Sequence, residues 1–128
     1  MGARVEIVSF GYLHDAPPTA HLTIDLRAHF RDPHVSPELR TMTAADEPVR
    51  LAVLNTPGIT DLVEAAARAA VAFASGPGGG VVTVAAGCAG GRHRAPTVAN
   101  AVAERLRDAG LGDVGVYHRD IARPVVRR

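Results

Sequence analysis

The sequence predicts an α/β fold in a single compact domain, with a mixed, mostly parallel sheet and helices packed on its faces. Three observations carry that expectation. Short β-branched runs alternate with amphipathic segments along the chain. One run, Val81 to Ala86, is almost uninterruptedly apolar, as strands of parallel sheets are. It leads into Gly87-Cys-Ala-Gly-Gly-Arg-His-Arg-Ala-Pro96, a glycine-rich stretch that opens a helical segment, so a phosphate-type loop sits at a strand–helix junction. The length of 128 residues suits one hydrophobic core, and no internal repeat or second domain is visible. With aromatics at 4% and no Trp, that core is built from Val, Leu, Ile and Ala.

Element by element, Arg4 to Phe10 alternates and reads as a first strand ended by Gly11. Pro17 and Pro18 make the next stretch a loop, and His21 to Leu26 is a second short strand. The polar segment from Arg27 to Pro48 has no convincing period; a loop this long in a small domain is usually functional or poorly ordered. Pro48 suits a first helical turn, with Asp46 and Glu47 at its positive end, and a short helix runs to Asn55 before Pro57-Gly58. Thr60 is the expected N-cap of a helix reaching Ser75. Thr97 to Ala109 carries Val98, Val102 and Leu106 on one stripe and stops at Gly110. Asp113 to His118 is the last strand, followed by a tail.

Composition narrows the function classes. All basic residues other than His are Arg, the formal net charge is +1, and the bases concentrate at 92–94 and in the tail. A locally basic face suits an anionic partner, RNA included, through Arg119, Arg123, Arg127 and Arg128. A single Cys excludes an internal disulfide framework and fits a reducing compartment. The N-terminal stretch lacks a signal-peptide core, and no apolar run approaches the ~20 residues of a membrane span, so a cytoplasmic protein without membrane partners is expected.

The chemistry concentrates at residues 87–96. Glycines let backbone N–H groups turn inward, a helix N-terminus adds partial positive charge, and Arg92 and Arg94 add charge-assisted contacts for an anion. A Walker A loop requires Gly-Lys-Ser/Thr at its end, which is missing, and the spacing does not fit a dinucleotide fingerprint. Cys88 and Arg94 do have the Cys-x5-Arg spacing of cysteine-dependent phosphatases, with Asp32 on a loop as general acid. Against that alternative, Ala95 stands where a hydroxyl would assist the thiolate, and a lone Cys is commonly a packed small hydrophobe. No pattern calls for a metal or an organic cofactor.

Several blocks resemble the C-terminal domain of the RapZ family of bacterial RNase adapters. They are Ile7-Val-Ser-Phe-Gly11, Ile24-Asp-Leu-Arg27, Asp32-Pro-His34, Pro37-Glu-Leu-Arg40, Thr43 with Asp46-Glu-Pro-Val49, Gly87-Cys-Ala-Gly-Gly-Arg-His-Arg94 and Tyr117-His-Arg-Asp120. They follow family order and cover nearly the whole chain, as residues 1–122, leaving 123–128 as a basic tail. The resemblance implies an α/β domain with an anion or amino-sugar phosphate pocket and a regulatory role as sensor or adapter. In the best-known relative this domain senses glucosamine 6-phosphate and binds small regulatory RNAs. Carried over by motif, the pocket uses His34, Ala89, Gly90, His93 and Arg94, with Cys88, Gly91 and Arg92 in the same loop. Implied partners are a phosphorylated small molecule or inorganic anion, RNA, a nucleotide-binding or nuclease protein, and further copies of the chain. Ala89 and Ala95 depart from the family signature by removing two hydroxyls, and the family's Walker A half is not in this sequence.

Overall fold

A computed structural model describes residues 4–128; residues 1–3 of the expected 1–122 domain lie outside it. Strands β1 (Val5–Gly11), β2 (Leu22–Asp25), β3 (Val82–Cys88) and β4 (Val114–His118) form one sheet in the order β2-β3-β1-β4. The expected α/β class holds, and the sheet is parallel at every pairing: β1 with β3, β1 with β4, and β2 with β3. β3 and β4 each follow a long connection that contains helices, as parallel pairing requires.

The helices are α1 (Pro37–Arg40), α2 (Glu47–Leu54), α3 (Ile59–Ala74) and α4 (Arg94–Asp108). Alternation sends Val5, Ile7, Val82, Val84, Ala86 and Val114 to one face, where they share a core with Val49 and Val53 of α2, Val63 and Ala70 of α3, and Val98, Val102 and Leu106 of α4. α2, α3 and α4 therefore gather on one face of the sheet. The opposite face keeps Glu6 and Tyr117 in water, and at its upper end the Phe10 and Tyr12 rings meet edge to face with centroids 4.8 Å apart.

Local chemistry explains where the boundaries differ from expectation. The N-cap of α3 is Gly58, not Thr60: at φ +94° it makes a turn that a β-branched residue resists, and it lets fully buried Ile59 anchor the first turn. β3 runs on to Cys88 and α4 starts at Arg94 rather than Thr97. Pro96 is no obstacle there, because the first turn of a helix has no intrahelical use for its N–H. The segment 27–46, irregular by sequence, is ordered by a 3-10 turn at Pro33–Val35 and the single turn of α1.

Two glycines hold the upper end of the sheet together by close approach. A side chain on Gly91, which has φ +77°, would lie 2.7 Å from the Gly11 nitrogen and 2.9 Å from Asp120 Cβ. One on Gly87 would collide with the Phe10 and Tyr12 rings. Gly91→Ala and Gly87→Ala are each expected to cost about 2 kcal/mol or more through strain and overpacking. Gly78→Ala, which meets nothing within 4 Å, is expected to be near neutral; thermal melts followed by circular dichroism compare the three.

Candidate functional site

The order β2-β3-β1-β4 makes β1 and β3 neighbours whose onward connections leave in opposite directions, to β2 and to β4. Ligands of open α/β sheets bind at such a switch point, beyond the carboxyl ends of the strands. The loop between β3 and α4, residues 89–93, lies there.

This loop is pinned on all sides by backbone pairing. Tyr12 N–H donates to Cys88 O (2.9 Å), Leu13 N–H to Ala89 O (3.0 Å), Leu26 N–H to Gly87 O (2.7 Å) and Ala44 N–H to Arg92 O (2.9 Å). Its own donors are a different matter. The N–H groups of Gly90, Gly91, Arg92 and His93 have no acceptor among the described residues, although three of the four residues are buried. Buried backbone N–H groups without a partner are rare, and successive ones make an anion-binding concavity.

The charged or titratable side chains of the loop, Arg92 and His93, and that of Arg94 at the first position of α4 each tie down another segment. Arg94, 3% exposed, donates through Nη1 to Leu26 O at 2.8 Å and more loosely to Arg27 O and Phe30 O, while its Nη2 lies 3.2 Å from Asp32 Oδ2. Arg92 reaches Thr41 O (2.9 Å) and Arg123 O (2.7 Å). The Nε of each arginine is buried without a partner. His93 Nε2–H donates to Met42 O at 2.8 Å, which leaves Nδ1 as the unprotonated nitrogen of the neutral ring. Burial holds His93 below the ordinary imidazole range, against the opposing pull of the Met42 carbonyl.

The sequence-predicted residues meet in a narrow pocket. Asp32, His34, Cys88, Gly90, Arg92, His93 and Arg94 line it, joined by Val125, Val126 and Arg128 of the tail. Ala89 and Gly91 are not on its wall; Gly91 is pressed against Gly11 instead. The tail is the component that sequence reasoning did not bring to the pocket. Arg128 Nη1 lies 2.6 Å from Asp32 Oδ2, closing the mouth and leaving about 10 Å³, room for one water molecule.

Cys88 is 3% exposed and its Sγ accepts from Ala95 N–H at 3.4 Å. For Asp32, burial pushes the carboxyl upward, but the His34 N–H, Arg94 and Arg128 outweigh it and hold it below the usual carboxylate range. A carboxylate held ionised in this way is poorly placed to donate a proton as a general acid.

The four arginines expected at a basic surface are mostly paired inside the fold. Arg119 Nη2 lies 2.9 Å from Asp120, whose fully buried carboxylate also accepts Gly11 N–H at 2.8 Å. Arg123 contacts Asp15 at 2.8 Å, Arg128 contacts Asp32, and Arg127 has no carboxylate partner among the described residues. Beside them, Ser9 Oγ–H donates to His118 Nδ1 (2.7 Å), and His118 Nε2–H donates to Asn100 (3.0 Å). Among the described residues, no helix is long and apolar enough to cross a membrane.

The sequence model of the RapZ C-terminal domain matches residues 3–122. The chain belongs to the RapZ C-terminal domain family. It is 40% identical over 123 residues to a nucleotide-binding protein of Thermobifida fusca, covering 94% of this chain and 41% of that protein. A nucleotide-binding protein of Acidothermus cellulolyticus is 38% identical over 127 residues, with 94% and 40% covered. One of Streptomyces coelicolor is 38% identical over 123 residues, with the same coverage. This RapZ C-terminal domain thus spans about two fifths of the length of the curated relatives it matches.

Two outcomes test this geometry. Arg94→Leu strands the Leu26 carbonyl and leaves Asp32 partly unpaired, and is expected to cost about 3–5 kcal/mol, read from urea unfolding. The stability that neutral His93 contributes is full above about pH 6.5. It is lost as pH falls through the lowered folded pKa, because the unfolded chain takes up the proton first. The urea midpoint should therefore drop between about pH 7 and pH 5. His118, also held low by burial, has the same sign, so the drop should shrink in His93→Gln and shrink further with His118→Gln added.

Proposed function

We infer that this domain binds a small phosphorylated metabolite, of the amino-sugar phosphate kind, at the 89–94 loop, and that it works as a sensor or adapter rather than as a catalyst. The observation that carries the reading is the row of unpartnered N–H groups from Gly90 to His93 beside the unpaired Nε of buried Arg94. These are donors without acceptors, and a phosphate group supplies acceptors on every side. The family supports a regulatory adapter role, and the name of the relatives is in keeping with a phosphate-bearing ligand.

In this reading residues up to 122 form the binding unit and 123–128 form a strap over its mouth. Binding requires the Arg128 guanidinium to leave Asp32 or to turn onto the ligand, because a phosphate is larger than the space beneath it. Asp32 and His34 then face the non-phosphate part of the ligand. RNA binding, oligomer formation and a nucleotide-binding or nuclease partner follow from the family alone. RNA binding at Arg119, Arg123 and Arg128 would first have to release their carboxylates. The phosphatase alternative is disfavoured by the packed Cys88 thiol and the ionised Asp32.

Calorimetric titration with glucosamine 6-phosphate, inorganic phosphate and glucosamine tests the reading. The phosphate-bearing ligands are expected to bind and the free sugar is not. Arg94→Lys, which keeps the charge but loses the planar fork, should weaken binding about tenfold. Absence of binding by the wild type, or unchanged affinity in a cooperatively folded Arg94→Lys, overturns it. Wild type and Cys88→Ser are expected to share a negligible rate on an aryl phosphate.

A further inference from the structure

A second cavity of about 480 Å³ adjoins the inner pocket and shares His34, Val125, Val126 and Arg128 with it. Its remaining walls are Val35, Arg40 and Arg127. The inner pocket is a dead end backed by buried Cys88, His93 and Arg94. The outer cleft opens to solvent between the 34–40 segment and the tail, on the same side as Arg128.

Charge around the two cavities is strongly one-sided. Among the lining side chains, Arg40, Arg92, Arg94, Arg127 and Arg128 stand against the one carboxylate of Asp32. That carboxylate is shared by Arg94 and Arg128. Arg40 uses Nε on the His34 carbonyl at 2.8 Å, and its terminal nitrogens have no acceptor among the described residues. Arg127 has no ion-pair partner among them either. A phosphate monoester carries at most two negative charges and fills only the inner site. It leaves Arg40 and Arg127, which both line the outer cleft, without an anionic partner among the described residues.

We propose that the outer cleft is a second anion subsite, so that the ligand is a small metabolite with two anionic groups. A terminal phosphate enters the 89–94 loop. The second group, a phosphate or carboxylate, lies between Arg40 and Arg127, with Val35, Val125 and Val126 against the carbon skeleton between them. The dead-end inner pocket admits a terminal phosphate but not a phosphodiester esterified on both sides, which favours a metabolite over an internal stretch of nucleic acid. This proposal rests on the inner pocket being the phosphate site.

The test compares glucose 6-phosphate with glucose 1,6-bisphosphate on the full chain by calorimetry. The wild type is expected to prefer the bisphosphate by about tenfold, as one further charge-assisted pairing supplies. In Arg40→Ala with Arg127→Ala the preference should fall to about twofold or less. Arg127→Ala alone disturbs no ion pair of the fold and should remove part of the preference, which covers the case of a poorly folded double variant. Equal affinity for the two sugars in the wild type, or a preference that survives in Arg127→Ala and the double variant, overturns the second subsite while leaving the first intact. Binding of neither glucose phosphate by a wild type that binds glucosamine 6-phosphate overturns the second subsite alone; binding of none of the three overturns both.

Discussion

A guanidinium with almost no access to water must be surrounded by oxygen atoms, and Arg94 meets that demand with the chain itself. The carbonyls of Leu26, Arg27 and Phe30 and the carboxylate of Asp32 converge on it. An unpaired buried charge is far more costly than an exposed one, so these oxygens have little freedom to be elsewhere. The segment after β2 is thereby folded down onto the start of α4. Asp32, drawn in by Arg94, carries His34 with it through the His34 N–H at 3.0 Å. Arg92 and His93 repeat the device on the Thr41 and Met42 carbonyls, and Arg92 extends it to the tail at Arg123. A stretch without periodicity is ordered mainly because three side chains of one loop need acceptors.

The same requirement shapes the site. The side chains of the loop spend most of their donors on the fold, while its backbone N–H groups and the arginine Nε atoms remain without partners. The structure thus divides the donors of five residues into two sets. Side-chain termini hold neighbouring segments, and the main-chain N–H groups stay without partners among the described residues. Cys88, at the end of β3, is part of the scaffold: its sulfur lies under the Ala95 N–H and within the hydrophobic core. Glycine is required at 91 for a related reason, because the loop and β1 touch backbone to backbone there.

Much of this was legible from composition and pattern. β1, β3, α3 and α4 follow from runs and stripes that few other folds accommodate, and the glycine-rich junction after β3 marks the site by its residue types. Harder to read were the ends of elements. Thr60 has the chemistry of an N-cap, but the turn at Gly58 and the burial of Ile59 decided the start of α3. Parallel pairing of β2 depended on which strand it would join, and its four residues carry no such information. The tail offered a cluster of arginines that reads equally well as a solvated end or a polyanion surface. Its position over the pocket depends on Asp32, 96 residues earlier in the chain than Arg128.

The sequence by itself determined the fold class and the family and singled out the loop proposed as the site, because these rest on local residue types and spacings. The tertiary structure alone decided that the sheet is parallel throughout, that Arg94 is spent on β2 and Asp32, and that Arg128 shuts the pocket. Each of these is a pairing between distant charges or strands. Such a pairing is settled by which partner burial leaves within reach, and that is a property of the folded chain.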